Sequence, residues 1–412
     1  MLARLFALLA LSLFALSARA GFNPDQIGTI DSAPGATLLF PHFEVDTSSA
    51  NGTNTVLTIQ NASATAILLN VVLWTDYGLP TDKFLIYLTG YDQQTVDLGQ
   101  VFRRILPRTA SAGQDPSDTI SPHGPISQDI NFASCNTLLP DIQNGSALSR
   151  DIVGAHSGQP SADYFGGLCG SRDLGDGIAR GYVTVDTVNN CTRRFPGDTG
   201  YFIDGGGGDA TTQNTMTGDY VIINPVTRRM VADSAVHIQA SPTNPLTSGG
   251  VNKQTFYGRL VGYTGADNRE PLPTAWAGRA AAGRTDVDYW RDPGTVTAPF
   301  TCGTAPAGLP SGQHQVALFN DQGAAAGAPG GDLFPFLAGS TSGATLGVNA
   351  PLGWLFANLN LAAPSGPLGA VRQSWLSLRQ IPSGMPAGTG ATYQVPGIQL
   401  GNAAFGDDPT VP

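Results

Sequence analysis

Between Asn268 and Asp292 the chain concentrates the residue types that do chemistry: Arg269-Glu270-Pro-Leu-Pro273, then Trp276, Arg279 and Arg284, then Asp286-Val-Asp288-Tyr-Trp-Arg-Asp292. Carboxylates beside Trp and Tyr are what a saccharide site needs. Glu270 with one of Asp286, Asp288 or Asp292 would serve as acid and as base or nucleophile, with Trp276, Tyr289 and Trp290 stacked on the sugar rings. Carboxyls ~5 Å apart would retain anomeric configuration, and a wider pair would invert it. The same residues also fit a structural role, in which arginines neutralise the acids, a loop is tied onto a sheet, and Trp276 and Trp290 fill the core. The structural role is the preferred reading.

Other chemistries are sparsely represented. Asp286 and Asp288 have the alternate spacing of a calcium loop, but the next alternate position is Trp290 and no glycine supplies the sharp turn. Asp173-Leu-Gly-Asp-Gly177 and Gly205-Gly-Gly-Gly-Asp209 are turns first and fragments of a calcium site second. Calcium is the one cofactor the composition leaves open, because 29 Asp offer hard oxygen ligands. There is no Ser-x-x-Lys, Gly-x-Ser-x-Gly or His-Glu-x-x-His, and neither lysine follows a glycine as a phosphate cradle requires. The five histidines (His42, His123, His156, His237, His314) are too dispersed to suggest a metal site.

The elements that must position these residues read as strands. Two Glu against 29 Asp, and two Lys against 19 Arg, remove the best charged helix formers, and 52 Gly and 30 Pro favour turns. The fold class expected is all-β, an antiparallel β-sandwich of two packed β lobes with long Gly/Pro/Asp-rich loops. Strands are predicted at 37–45, 54–61, 66–76, 84–88 and 95–98, with Asn51-Gly52 as a hairpin turn between the first two. The 66–76 run is continuous enough for a strand buried on both faces. The block from Asn54 to Leu98 resembles, in style only, the sandwich modules of bacterial surface proteins. Further strands are predicted at 181–186, 219–224, 235–240, 255–261, 315–319, 353–361, 372–379 and 393–400. One helix is expected, alanine-rich, at 275–282 behind a Thr274 cap. The domain division that follows is 1–20, a cleaved signal; 21–102, an N-terminal β-sandwich module; 103–128, a linker or long loop; and 129–412, a disulfide-containing β-rich lobe.

Compartment follows from the first twenty residues. Arg4, the apolar run Leu5 to Leu16 and Ala18-Arg19-Ala20 have the layout of an export signal cut before Gly21, and the apolar run is too short to span a bilayer. Cys135, Cys169, Cys191 and Cys302 are then expected as two disulfides, with neighbours pairing as Cys135–Cys169 and Cys191–Cys302. Net charge is −10, and −12 without the signal, which argues against nucleic acid and against anionic lipid. The expectation is a secreted protein, periplasmic or extracellular, with no membrane span. It acts by non-catalytic binding of an extracellular ligand or as an envelope component; the alternative is a carbohydrate-active enzyme. Self-association through a sheet edge is a third possibility.

Overall fold

Nine successive residues of Ile67–Thr75 are all buried, and that pattern dictates a layered architecture. The computed structural model describes residues 33–107, 146–226 and most of 229–399, leaving out 252, 254, 274, 284, 293–295, 305–314, 326–333, 335, 360–372, 381–389 and 397. Five strands open the chain: β1 (Thr37–Asp46), β2 (Asn54–Asn61), β3 (Ile67–Thr75), β4 (Pro80–Leu88) and β5 (Gln93–Asp97). Helices α1 (Leu98–Phe102), α2 (Ser146–Ser157) and α3 (Ala162–Phe165) precede β6 (Ile178–Val188), β7 (Met216–Asn224), β8 (Arg229–Ser234) and β9 (Val236–Ile238). After α4 (Gly258–Val261) come β10 (Ala275–Ala280), β11 (Thr285–Arg291), β12 (Gln315–Asn320), β13 (Ala338–Ser342) and β14 (Gly353–Asn358). The last strands are β15 (Ser374–Gln380), β16 (Gly390–Pro396) and β17 (Ile398–Gln399).

They form three sheets: β4-β3-β6-β1-β9, β12-β14-β10-β17, and β13-β11-β15-β16-β8-β7-β2-β5. Pairing is antiparallel except where β16 runs parallel to β8. The protein is an all-β, sandwich-like fold, as its composition predicts. The five-stranded sheet is the middle layer, because alternate side chains of each strand enter different cores. Leu68, Val72 and Trp74 of β3 join one core with Leu85, Tyr87, Tyr182 and Val236. Ile67, Leu69, Val71 and Leu73 join the other with Phe84, Ile86, Val183 and Val185. A strand covered on both faces needs apolar residues at every position, which is why 66–76 reads as a continuous run. Strands of the outer sheets alternate instead, β2 burying Leu57 and Ile59 while Val56, Thr58 and Gln60 are partly exposed.

Several expectations are corrected. β1 and β2 do not pair as a hairpin ladder; β1 lies between β6 and β9, and β2 between β5 and β7. The Asn51-Gly52 turn carries the chain from the middle layer to an outer one, since β1 has two buried faces and β2 only one. Asp46 stabilises that turn, accepting from the backbone N–H of Ser48 at 2.9 Å and of Ser49 at 3.1 Å. Residues 275–280 are a strand, not a helix. Trp276 and Ala280 point into the core, and a Cβ on Gly278 would lie 1.9 Å from Leu378 Cδ1, so pairing with β14 and packing override the alanine content. Residues 255–261 are a turn leading into α4, which ends at Gly262 with φ +72°. The longest helix among the described residues, α2, lies where no helix is expected from the sequence; it buries Ile152, Ala155 and His156 and is followed by Gly158 with φ +75°.

The disulfide expectation is corrected as well. Cys169 bonds to Cys302, across 133 residues, with Cα atoms 5.1 Å apart. Neighbours in sequence do not pair because a two-bond bridge sets residue 169 beside Phe300: Cys169 N–H donates to Phe300 O at 2.9 Å, and Phe300 N–H returns to Cys169 O at 3.0 Å. Cys191 is also disulfide-bonded. Cys135 lies outside the described residues, as do the signal segment and most of 103–128. No helix among the described residues is long and apolar enough to cross a membrane.

Candidate functional site

The acid and aromatic residues singled out by sequence lie inside the protein. Asp288, on β11, is 2% exposed and receives Arg379 Nη2 of β15 at 2.9 Å; Asp286 is directly opposite Arg379 in the β11–β15 register. Asp292 Oδ1 is 3.6 Å from Arg259 Nε, and its Oδ2 accepts from Gln373 Nε2 at 3.2 Å. Arg259 in turn donates to the Tyr182 hydroxyl at 2.9 Å. The three proposed stacking residues are core residues: Trp276 and Tyr289 are 1% exposed and Trp290 2%. Trp276 Nε1 donates to Ser374 Oγ at 2.8 Å, Tyr289 meets Phe334 edge-on, and Trp290 stacks on Phe256 with centroids 5.4 Å apart. None of the three offers a ring face to solvent.

Arg269 and Glu270, adjacent in sequence, have opposite situations. Arg269 enters a buried network: its Nε donates to Thr37 Oγ1 at 2.9 Å, and its Nη2 is 3.7 Å from Asp186 Oδ1. Asp186 also accepts from the hydroxyls of Tyr201 at 2.8 Å and Tyr257 at 3.1 Å, so β1, β6 and two loops are tied by one buried cluster. Glu270 donates its backbone N–H to Gln239 O at 2.9 Å, but its carboxylate has no partner among the described residues. Burial pushes that carboxyl up to about 7. Asp288 and Asp292, by contrast, are ion-paired with Arg379 and Arg259.

The metal candidates are likewise engaged. Among the described residues no group of three or more His, Cys, Asp or Glu is placed to hold an ion. In the Asp173–Gly177 turn, Asp173 accepts from Gly175 N–H at 2.8 Å and Asp176 from Arg180 Nη2 at 2.7 Å, while Gly175 and Gly177 take φ near +70°. Asp209 accepts from Arg194 Nη1 at 3.0 Å. The β5 edge is capped by its own side chains, Asp92 accepting from Gln93 N–H at 2.7 Å and Gln94 Nε2 donating to Thr95 O at 2.8 Å.

A different cluster faces outward. In the four-stranded sheet, Val316, Leu318, Leu355, Ala357 and Trp276 point to the core. Their alternates form cross-strand rows on the other face: Arg279, Trp354 and Phe319 in one, and Ala277, Phe356 and Ala317 in the next. Trp354, Phe356 and Phe319 are partly exposed and Arg279 is exposed. Arg279 Cζ lies 5.4 Å from the Trp354 centroid, and Phe319 meets Phe356 edge-on at 5.6 Å. A shallow recess opens beside this row, lined by Phe319, Trp354, Val348, Asn349 and Ala350 among others. The signal was legible: Gln315-Val-Ala-Leu-Phe-Asn320 and Gly353-Trp-Leu-Phe-Ala-Asn358 each place apolar residues on both strand faces, although only one face can meet the core.

No protein family, curated protein or solved structure matches this chain.

Proposed function

We propose that this is an exported, non-catalytic binding protein that presents the outer face of β10, β14 and β12 to an extracellular ligand. The observation that carries the reading is the row of Arg279, Trp354 and Phe319 with Phe356 beside it, aromatic residues held at the surface of a sheet whose opposite face already fills the core. Aromatic rings at a surface supply large contact area at low entropy cost, and they are enriched where proteins bind. Export is supported by the layout of the first twenty residues and by the disulfide across 133 residues. The test is a glycan and cell-surface array with the purified chain, with and without chelator, comparing wild type with Trp354→Ala and Phe356→Ala. Binding lost in both variants supports the reading; binding equal to wild type in both refutes it.

One observation favours a second reading. A buried carboxyl raised to about 7, with no side-chain partner among the described residues, is what a general acid needs, and Glu270 has it. Of its candidate partner carboxylates, Asp288 and Asp292 are ion-paired with Arg379 and Arg259 and Asp286 lies opposite Arg379 in the strand register, which weighs against any of them acting as the second catalytic group. Release of reducing sugar from a polysaccharide panel, abolished by Glu270→Gln, would revive it.

A further inference from the structure

Away from that face, we infer that Lys83 is a capture site for a small aldehyde, its amine bonding reversibly to the carbonyl carbon as an imine against the Phe195 ring. The inference does not depend on the binding role proposed above.

Lys83 lies on β4, the edge strand of the middle sheet, two residues before Leu85 and four before Tyr87 on the same strand face. Its stem therefore runs along the core, and the amine ends at the 192–198 loop. The residue is 9% exposed, yet the amine is poorly satisfied. Its one hydrogen bond, to Thr192 O, is long at 3.5 Å, and its other neighbour is the Phe195 ring, with the centroid 5.1 Å away. Among the described residues it makes no ion pair. A cation that only blunted a sheet edge could be arginine, which this chain uses 19 times against two lysines. What lysine adds is an amine that can shed its proton and attack. Burial pushes this one down to about 8 against the opposing pull of Asp198, Asp209 and Asp82, which leaves about a tenth of it as free base at pH 7.

The free amine's lone pair forms a C–N bond to the aldehyde carbon. The carbonyl oxygen then leaves as water, taking the two protons shed by the nitrogen, and hydrolysis reverses both steps with no oxidant or reductant. The surroundings select this adduct. An imine is neutral, or a cation once protonated, and suits the face of Phe195 and the nearby acids; a carbamate made from carbon dioxide would be an anion facing the same ring and the same three carboxylates. The narrow exposure of Lys83 limits the partner to a few atoms, the size of the open-chain aldehyde of the smallest sugars.

The experiment treats the full chain at pH 7 with glycolaldehyde and cyanoborohydride, which reduces the imine to a stable amine, and maps the modified peptides. Lys253 is the internal reference, since it is the only other lysine. Expected is modification of Lys83 at least tenfold faster than of Lys253, a preference that disappears when the chain is unfolded in urea. Without the reductant, the adduct should reverse when the aldehyde is removed. Phe195→Leu keeps the apolar cover but removes the ring and should slow capture severalfold, while Phe195→Tyr should retain it. Circular dichroism checks that these variants fold, and the wild-type comparison stands without them. Equal modification of the two lysines, or a preference that persists in urea, would overturn the inference. Carbon-13 bicarbonate followed by NMR should show no carbamate at Lys83; a carbamate there would overturn the assignment to an aldehyde.

Discussion

Glu270→Gln isolates a single buried carboxyl and separates its structural cost from any chemistry. Glu270 is 7% exposed, has no side-chain partner among the described residues, and is raised from 4.5 to about 7 by desolvation alone. In the unfolded chain the proton leaves near 4.5, whereas in the folded protein it is held until about 7. Folding therefore takes up a proton between those values, and the stability present below pH 4.5 is lost as pH rises through 7. At about 1.4 kcal/mol per tenfold difference in proton affinity, the loss at pH 8 is about 3 kcal/mol. Gln keeps the volume and removes the titration, so the variant should be more stable than wild type at pH 8 by up to ~3 kcal/mol, and equal to it within ~0.5 kcal/mol at pH 4.5.

The comparison must be between variants and not along the wild-type curve. His156, completely buried in α2, is pushed down to about 4, so the unfolded chain takes up its proton first and stability falls as pH drops below 6.5. Between 4.5 and 6.5 the two groups act in opposite directions, while Asp267 and Asp76, raised by burial to about 6 and about 8, lose stability as pH rises through the same range in both proteins and cancel in the difference. Urea midpoints at pH 4.5, 6 and 8 give the answer, with slopes checked for equality. A Glu270→Gln effect of the same size at all three pH values, or a variant less stable than wild type at pH 8, would refute the reasoning.

Further outcomes are expected elsewhere. The double variant Cys169→Ser/Cys302→Ser removes closure of a 133-residue loop and should cost up to ~5 kcal/mol by the chain-entropy account, read as a lowered urea midpoint. An unchanged midpoint would mean that the bridge constrains nothing. Gly278→Ala drives a Cβ to 1.9 Å from Leu378 Cδ1 and should destabilise by about 1–3 kcal/mol, with part of the loss recovered when Leu378→Ala is added. Strict additivity of the pair would count against the clash. Lys83 Nζ is 5.1 Å from the Phe195 centroid and 3.5 Å from Thr192 O, and burial pushes it down to about 8. Because Lys83 and Lys253 are the only lysines, peptide mapping after acylation across a pH series is unambiguous; labelling of Lys83 should level off above pH 8, and a rate still climbing steeply through pH 10 would contradict the shift.

Strand content and the two-faced burial of β3 were legible because they are local and periodic. What was not legible depended on which layer each strand occupies. The Asn51-Gly52 step signals a reversal, but a reversal within one sheet and an arch between two look alike until the burial of both β1 faces is known. The alanines of 275–282 favour a helix locally, and only the β14 partner and the Leu378 side chain filling the space at Gly278 make the strand the better state. Cysteine spacing carries no information about a bridge made by residues 169 and 300 meeting across the fold. The Asn268–Asp292 cluster reads from sequence as either site or network, and the sequence does not show its partners because Arg259, Arg379 and Asp186 come from other parts of the chain. Trp354, Phe356 and Phe319 could have been found by asking which strands carry more apolar faces than the core can cover.

That question also bears on why the aromatic face calls for a ligand at all. The outer face of the eight-stranded sheet sets the standard for a solvated surface in this protein. Thr58 pairs across to Asp219 and Gln60 to Thr217, polar residues at the outward positions of β2 and β7. Its apolar members are small or lie at the edge: Val56 faces Val221 across the β2–β7 pair, and Ile223 at 39% exposure and Met230 at 46% sit together at the β7–β8 hairpin end. A chain that can place Thr, Gln and Asp on one outward sheet face has no compositional need for Trp and Phe on another, and leaving such rings partly wet forgoes about 25 cal/mol for each Å² that stays exposed. Folding does not collect that stabilisation, because the inner alternates of β12 and β14 already meet the core. It is available only on association, so replacing Phe319 and Phe356 by Thr should leave folding stability within ~1 kcal/mol and abolish binding to the array; a loss of several kcal/mol in stability would instead make these rings part of the fold.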